Sequence, residues 1–399
     1  MTLKVILYTH DWAPAVGGIQ TVCTALAKGV AAWSGRGGER IELTLITQTP
    51  ANGMDDSRLP FRVTRQPTLP DLIKAIRTTD VLHVAGPALL PLAFGWLLRK
   101  AILLEHHGYQ TVCPNGLLLY GPDHSVCPGH FMARRYWKCV GCNSVEYGRR
   151  GTVRSLVLTF FRRLLARRAT VNVMPSRHLV QRVALPHTRI IYHGVPVHTP
   201  LPRIATEKSM TIPVCFAYVG RLATEKGLPV LLRAARDLSQ VRSDFRLKIL
   251  GDGPERSNLE KMAQEFGISA QTEFAGSVPI EEIPAVLADV TTVIMPSVCE
   301  DVAPLVAIEQ MMQGRLVIGS DIGGLGETTD GFGLKFPPGD ASALAACLRR
   351  VLDEPSFAER MGQKAMEYAM RTFTEQRMIG EHVQLYQELS KAPPSAKQE

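Results

Sequence analysis

Strand-like apolar runs alternate with amphipathic stretches of helical length along most of the sequence, and this alternation confines the chain to a parallel α/β architecture. In the first half the runs are KVILYTH, ERIELTLITQ, DVLHVAG and RKAILLEHH, with TVCTALAKGVAAW and LPDLIKAI among the stretches between them. Short apolar runs rich in β-branched residues read as buried strands, whereas apolar positions recurring every three to four residues read as helices. The second half repeats the pattern with VCFAYVG, FRLKILG, TTVIMPS and GRLVIGS as strands and PVLLRAARDL, PLVAIEQMMQ and ALAACLRRVL as helices. Strands joined through helices pair in parallel, because the crossover returns the chain to the same sheet edge. Two Rossmann-like domains are expected.

A length of 399 residues exceeds what one hydrophobic core ordinarily supports. Between the two patterns, Gly194 to Pro213 is proline-rich and aperiodic, which suits a linker. The expected division is an N-terminal domain at 1–197, with a cysteine-rich insertion at about 108–145, a linker at 198–212, and a C-terminal domain at 213–372. Residues 373–399 are expected to hold a C-terminal helix returning to the N-terminal domain, then a disordered tail. The last helical stretch reads as one long segment from Pro355 to Leu389, and no internal repeat is evident.

Charge is unevenly spread. Residues 1–200 carry 24 basic and 10 acidic side chains, a net of +14, while the remainder carries 21 against 27, a net of −6. A positive half favours anionic partners and does not choose among nucleic acid, phospholipid and phosphorylated acceptors. The start, MTLKVILYTHDW, enters a strand at once and lacks the three-part pattern of a secretory signal. The longest apolar stretch, Ala85 to Leu104, is broken by Pro87, Pro91, Arg99 and Lys100 and reads as a buried helix and strand rather than a membrane span. A cytoplasmic location is therefore expected, with the eight cysteines reduced.

Several segments carry chemistry. In FAYVGRLATEKG a strand ends at Gly220 and delivers Arg221 and Lys226 to a loop before a helix, where open α/β sheets bind ligands and two cations suit a diphosphate. The bland alternative is a surface loop with solvated charges. LKILGDGPE ends in Gly251, Gly253 and Pro254, a tight turn that lets backbone approach a ligand. In VIMPSVCEDVAPLVAIEQMMQG, Pro304 stands near a helix start, so N–H groups at Ala303 to Val306 point toward an anion. Asp301 precedes that helix and Glu309 lies one to two turns inside it, placing two carboxylates where they accept hydrogen bonds from sugar and ribose hydroxyls. A helix cap and a surface ion pair are the ordinary readings of the same two acids.

Taken in order, Gly17-Gly18-Ile19 after the first strand, His107 at the end of LLEHH, GRLATEKG, GDGP, PSVCEDVAPLVAIEQ, GGLGE and GFGLKFPPGD resemble the family-4 group of retaining glycosyltransferases that build bacterial polysaccharides. The resemblance covers nearly the whole chain. It implies the GT-B fold, two facing Rossmann-like domains with parallel sheets and an interdomain cleft, and transfer of a sugar from a nucleoside-diphosphate sugar (UDP, GDP or ADP) to a glycan or lipid-linked acceptor. By the same resemblance Glu309 holds the ribose hydroxyls, Arg221 and Lys226 neutralise the diphosphate, and backbone at Leu305 and Val306 caps it. Asp301 contacts a donor-sugar hydroxyl, His107 reaches the sugar from the other domain, Gly17 and Gly18 lie close to the donor phosphates, and Gly251 lines the donor site. Relatives usually carry Glu where Asp301 stands, so reach toward the sugar differs by a methylene, and Glu300 is a substitute. His106 competes with His107, which is preferred because it precedes Gly108-Tyr109. The implied mechanism needs no metal: the departing phosphate helps take the acceptor's proton on the same face.

Between His107 and the linker, Cys113, Cys127, Cys139 and Cys142 include a CVGC pair with metal-knuckle spacing. A structural zinc, free thiols or disulfides, and an iron–sulfur cluster all remain open, with His124 and His130 as substitute ligands. RRGTVRSLVLTFFRRLLARRAT, from Arg149 to Thr170, holds seven arginines and no acid, interleaved with Leu156, Phe160, Phe161, Leu164 and Leu165. As a helix it either docks peripherally on an anionic membrane surface, such as the inner face of the plasma membrane, or packs as a core helix with solvated arginines. Rival readings are a basic zinc-containing nucleic-acid-binding protein, which leaves the PSVCEDVAPLVAIEQ segment without purpose, and a GT-B epimerase or phosphorylase. The favoured reading has no nucleic-acid partner.

Overall fold

The structure, a computed structural model, describes residues 2–15, 17–33, 40–122, 124–197, 214–279 and 281–391. The expected linker at 198–212 and all of the expected tail SKAPPSAKQE beyond Ser390 and Lys391, which are helical, lie outside the described residues. The chain forms two compact units, one of residues 1–122, 127–195 and 373–399, the other of residues 123–126 and 196–372.

The first unit begins with β1 (Thr2–Thr9), α1 (Gly18–Trp33), β2 (Arg40–Thr47), β3 (Arg62–Arg65), α2 (Leu69–Thr78), β4 (Val81–Ala85), α3 (Leu89–Leu97) and β5 (Ala101–Glu105). Along the chain come two-residue strands β6 (Leu119–Tyr120) and β7 (Ser125–Val126), the latter grouped with the second unit, then α4 (Tyr136–Ala166), β8 (Val171–Met174), α5 (Arg177–Val183) and β9 (Thr188–Ile190). Seven strands form a wholly parallel sheet in the order β3-β2-β1-β4-β5-β8-β9. Helices cover both faces of such a sheet, which is why β4 and β5 are buried at every residue and read as continuous apolar runs. The face of α1 turned to the sheet carries Val22, Cys23, Leu26, Ala27 and Val30, a spacing of one helical stripe. Local chemistry fixes helix starts: Thr68 accepts from the Asp71 amide and Pro70 occupies the first turn of α2.

The second unit runs β10 (Val214–Val219), α6 (Leu228–Ser239), β11 (Phe245–Leu250), α7 (Arg256–Glu265), β12 (Thr272–Gly276), α8 (Ile283–Val286), β13 (Val290–Met295) and α9 (Leu305–Met312). It continues with β14 (Leu316–Ser320), α10 (Gly323–Thr328), β15 (Leu334–Phe336), α11 (Ala341–Asp353) and α12 (Pro355–Thr372). Its parallel sheet has the order β12-β11-β10-β13-β14-β15. The chain leaves β10 toward β11 on one side and later returns to place β13 on the other, so β10 and β13 flank the point where the winding reverses. Loops leaving strands at such a point diverge and open a crevice at the carboxyl edge. Beneath it Phe216, Tyr218, Leu231, Leu247, Ile249, Ile294 and Ile318 form a close-packed core.

The single helix expected from Pro355 to Leu389 is two, α12 and α13 (Glu375–Lys391). No Pro or Gly announces the break, because its cause is tertiary. Val195 donates its amide to Phe373 O (2.9 Å) and accepts from the Glu375 amide (3.1 Å), which takes the backbone at Thr374 out of any helical ladder. Gly194 is required beside this crossing, since a Cβ there would lie 2.4 Å from Thr374 O. Beyond it, α13 packs on α1, β1 and β4 within the first unit.

Candidate active site

Four loops at the carboxyl edge of the second sheet are pressed together so closely that side chains are excluded from their contacts. Gly251, after β11, has φ +129° and its Cβ would lie 1.9 Å from Gly220 O, after β10. Gly227 has φ +68° and meets Pro296 O at 2.0 Å by the same measure, while Val298 donates its amide to Glu225 O at 3.0 Å. Gly324 donates its amide to Asp301 O at 2.6 Å. The glycines of GRLATEKG, GDGP and GGLGE thus weld separate loops into one surface.

On that surface Asp301 accepts from Lys226 Nζ at 2.6 Å and from Ser297 Oγ at 2.6 Å. Burial works against the Lys226 ammonium, but the Asp301 carboxylate outweighs it and holds the lysine charged above its ordinary range. The sequence placed Asp301 and Lys226 in separate roles and did not foresee that they pair. Helix α9 starts at Leu305 with Pro304 before it and no side-chain cap, so the first amides, at Leu305 and Val306, lack intrahelical acceptors. Glu309, on the second turn, has no side-chain partner among the described residues, and burial pushes its carboxyl up to about 7. Arg221 is exposed and likewise unpaired among the described residues. The edge therefore offers two cations, a helix N-terminus and two carboxylates within one stretch of loops, a set that matches phosphate, ribose and sugar hydroxyls in turn.

In the first unit Gly17 and Gly18 lie at the turn into α1 after β1, and Gly18 opens that helix. His106 and His107 follow β5. His106 is buried and its Nε2 meets Asn172 Oδ1 at 2.9 Å, an arrangement that occupies it structurally. The His107 imidazole is 2% exposed and places Nε2 3.6 Å from Glu105 Oε2. Glu105, the last residue of β5, is fully buried and faces four imidazoles, His83 at 3.0 Å, His193 at 3.4 Å, His107 at 3.6 Å and His382 at 3.8 Å. Burial alone would raise the Glu105 carboxyl, and these rings, His107 foremost, hold it well below the usual range. Burial drives His107 down to about 3 and His382 down to about 4. The EHH tripeptide hinted at one catalytic histidine. That a carboxylate gathers rings from four segments follows only from topology.

Cys113, Cys127 and Cys139 are buried and Cys142 is half-buried, and no disulfide joins described cysteines. The CVGC pair lies on α4, not in an irregular loop. Cys142 Sγ accepts from the Gly121 amide at 3.2 Å, and Cys113 Sγ donates to Asn115 Oδ1 at 2.9 Å. Burial pushes the Cys139 thiol up to about 12, with Cys113, Cys127 and Cys142 adding to the rise, so the four are neighbours. Among the described residues no three of these sulfurs fall within 4.8 Å of one another. His124 is exposed, and His130 packs edge-on to Tyr120.

The basic segment is the second part of α4, after a kink at Gly148 (φ 64°). Its exposed positions, Arg150, Val153, Arg154, Val157, Phe160, Phe161, Leu164, Arg167 and Arg168, recur every three or four residues and form one face. The apolar side chains at 153, 157, 160, 161 and 164 are exposed, while Thr152, Thr159 and Ala166 are buried and Arg163 turns inward to the Val183 carbonyl at 2.9 Å. No described helix is long and apolar enough to cross a membrane.

The family described as Glycosyl transferases group 1 matches residues 208–368. A 2-deoxystreptamine glucosyltransferase of Streptomyces kanamyceticus is 36% identical over 141 residues, 35% of this chain and 36% of that protein. The 2-deoxystreptamine N-acetyl-D-glucosaminyltransferase of Streptomyces fradiae is 28% identical over 87% of this chain and 84% of its own length. The chain spans 36–44% of the length of the first relatives it matches. Among solved structures, sucrose-phosphate synthase of Thermosynechococcus elongatus superposes with a TM-score of 0.72 at 21% identity, covering 97% of this chain and 99% of that one. Anabaena HepE, in complex with UDP and glucose, gives 0.69 at 15% identity, covering 97% and 100%. Two parallel α/β units and these matches agree on the GT-B fold, and residues 208–368, most of the second unit, match the group 1 glycosyltransferases.

Proposed function

We propose that the chain transfers a glycosyl group from a nucleoside-diphosphate sugar with retention of anomeric configuration. The observation that carries this reading is the sheet edge at the β10/β13 reversal, where Lys226, Arg221 and the open start of α9 face the same loops as Asp301 and Glu309. Lys226, Arg221 and the amides of Leu305 and Val306 hold the diphosphate, and Glu309 accepts from the ribose hydroxyls. Asp301 has two partners already, so a sugar hydroxyl that donates to it shares an oxygen with Lys226 or Ser297. This contact orders sugar and diphosphate relative to each other. The bond from the anomeric carbon to the diphosphate oxygen breaks, the acceptor oxygen bonds to that carbon on the same face, and the acceptor proton passes to the departing phosphate. Fixed cations and amides stabilise the charge that develops on the leaving group.

The acceptor class follows from α4. Its exposed face of valine, phenylalanine and leucine between arginines is the composition of a helix that lies in an anionic lipid interface, so a lipid-linked acceptor reached from the inner face of the plasma membrane is the reading it favours. The Gly121 amide directed at Cys142 and the neighbouring positions of the four thiols favour a structural zinc held by Cys113, Cys127, Cys139 and Cys142, whose sulfurs would draw together on binding; it would tie the insertion to α4 and take no part in transfer.

A thermal-shift series with UDP, GDP and ADP and their sugars tests the donor reading, because a ligand that binds only the folded chain raises its apparent stability. One nucleotide class should raise the melting temperature, and no shift with any of them overturns the proposal. Glu309→Ala is expected to abolish transfer while leaving circular dichroism unchanged.

A further inference from the structure

We propose that Glu105, His83 and His382 bind a divalent transition-metal ion of the zinc type in the interior of the first unit. The three ligand atoms lie within 4.8 Å of one another, and all three side chains are wholly buried. Among the described residues, every ion-pair partner of Glu105 is a histidine. Among the described residues no lysine or arginine pairs with it.

Hydrogen-bond directions limit what fills the space. His382 Nδ1 is 2.9 Å from the Met378 carbonyl, which can only accept, so Nδ1 carries the proton and Nε2 presents its lone pair. That lone pair faces Glu105 Oε1 at 3.8 Å and has no hydrogen-bond partner, while the other ring nitrogen near Oε1 is His193 Nε2 at 3.4 Å. Two acceptors turned toward each other in a dry core repel unless a cation lies between them. An imidazolium donating to the carboxylate would close to about 2.7–2.9 Å. Ligands on one tetrahedral zinc, at about 2.0–2.1 Å from the metal, stand about 3.3 Å apart; His83 Nε2 is 3.0 Å from Glu105 Oε2 and His382 Nε2 is 3.8 Å from Oε1, so each carboxylate oxygen faces one ring.

The surroundings match a metal centre. His83 Nδ1 is 2.7 Å from Tyr386 Oη, and His382 Nδ1 is held by the Met378 carbonyl, so each ring is oriented through the nitrogen not turned to Glu105. Tyr386 can accept as well as donate, so His83 can move its proton to Nδ1 when Nε2 takes a metal. The rings stack at 5.6 Å and 11°, with both Nε2 atoms on the carboxylate side. Imidazole and carboxylate without thiolate select zinc-type borderline ions over soft ones. Ligands at positions 83, 105 and 382 come together only when α13 docks on the sheet beside β4, so metal loading and docking are one event.

The test is the metal content of the full chain, purified without added metal and again after unfolding in chelator and refolding with zinc. About one equivalent should survive the double variant Cys139→Ser/Cys142→Ser and disappear in Glu105→Gln and His382→Gln. The cobalt form should show visible bands of nitrogen and oxygen ligation without sulfur charge transfer in the cysteine variant. Metal that is absent after zinc refolding, or that is lost with the cysteines and kept in Glu105→Gln, overturns the proposal. Should Glu105→Gln fail to fold, Tyr386→Phe keeps the packing and removes the outer hydrogen bond. Its zinc affinity in chelator competition should fall about 10- to 100-fold, and an unchanged affinity overturns the assignment.

Discussion

Glu309 shows how a single side chain can be poised by its surroundings. Burial without a partner raises its carboxyl from 4.5 to about 7. Between those values the folded chain holds a proton that the unfolded chain has released, so stability falls as pH rises through that window and the whole cost is present above 7. With partial exposure allowed for, Glu309→Gln should be more stable at pH 8 by about 1–3 kcal/mol and nearly neutral at pH 4, by chemical denaturation. A ribose that donates two hydrogen bonds reverses the preference and favours the carboxylate. Nucleoside-diphosphate affinity should therefore strengthen with rising pH below 7, by up to about tenfold per unit beyond the slope measured in Glu309→Gln, which isolates this proton from the nucleotide's own. Calorimetry in two buffers reads the released proton directly. The residue's identity was legible in the sequence, because an acid on an otherwise apolar helix after an acidic loop is conspicuous. Its isolation was not, and neither was the capture of Asp301 by Lys226, since both depend on how loops 75 residues apart fold over one another.

At the scale of elements, the parallel strands were legible because strands buried on both faces must be mainly apolar, as β1, β4, β5, β10, β13 and β14 are; the few polar residues within them, His83 and Glu105 among these, stand out against that run. Short strands such as β3 and β9 are mostly half-exposed or exposed and carry no such signature. The break between α12 and α13 is invisible for another reason: it is imposed by Val195 from far away in the chain. The loop welds at the second sheet's edge make a sharp demand on single positions. Gly251→Ala combines φ +129° with a Cβ at 1.9 Å from Gly220 O, and should destabilise the second unit by about 3 kcal/mol or more on thermal denaturation. Helix α4 is testable by its face. Phe160→Asp with Phe161→Asp should abolish flotation with vesicles containing anionic lipid and leave the nucleotide thermal shift intact, whereas equal flotation with neutral and anionic vesicles would remove the membrane reading.

At the scale of the molecule, the first unit is assembled from chain segments on both sides of the second. Helix α13 contributes Met378, Ile379, Val383, Leu385, Tyr386 and Leu389 to the first unit's core. At about 1.5–3 kcal/mol for each fully buried apolar side chain, their removal costs about 10 kcal/mol, comparable to the whole stability of a domain. Deletion of residues 373–399 should therefore abolish the first unit's calorimetric transition. The second unit's transition should remain, together with its shift on binding nucleotide. The charge division between the halves, +14 and −6, was plain from the sequence, and the exposed arginines of α4 give the positive half a surface on which to act.

The two strands of chain that meet at Val195 and Thr374 also set an order of events during synthesis. The second unit is nearly contiguous in sequence and can close as soon as Thr372 has left the ribosome. The first unit, although made earlier, has to wait, with the apolar faces of α1 and β4 uncovered, until Leu389 emerges almost 200 residues after Val195. For that interval it is the older half of the nascent chain that needs shielding from aggregation.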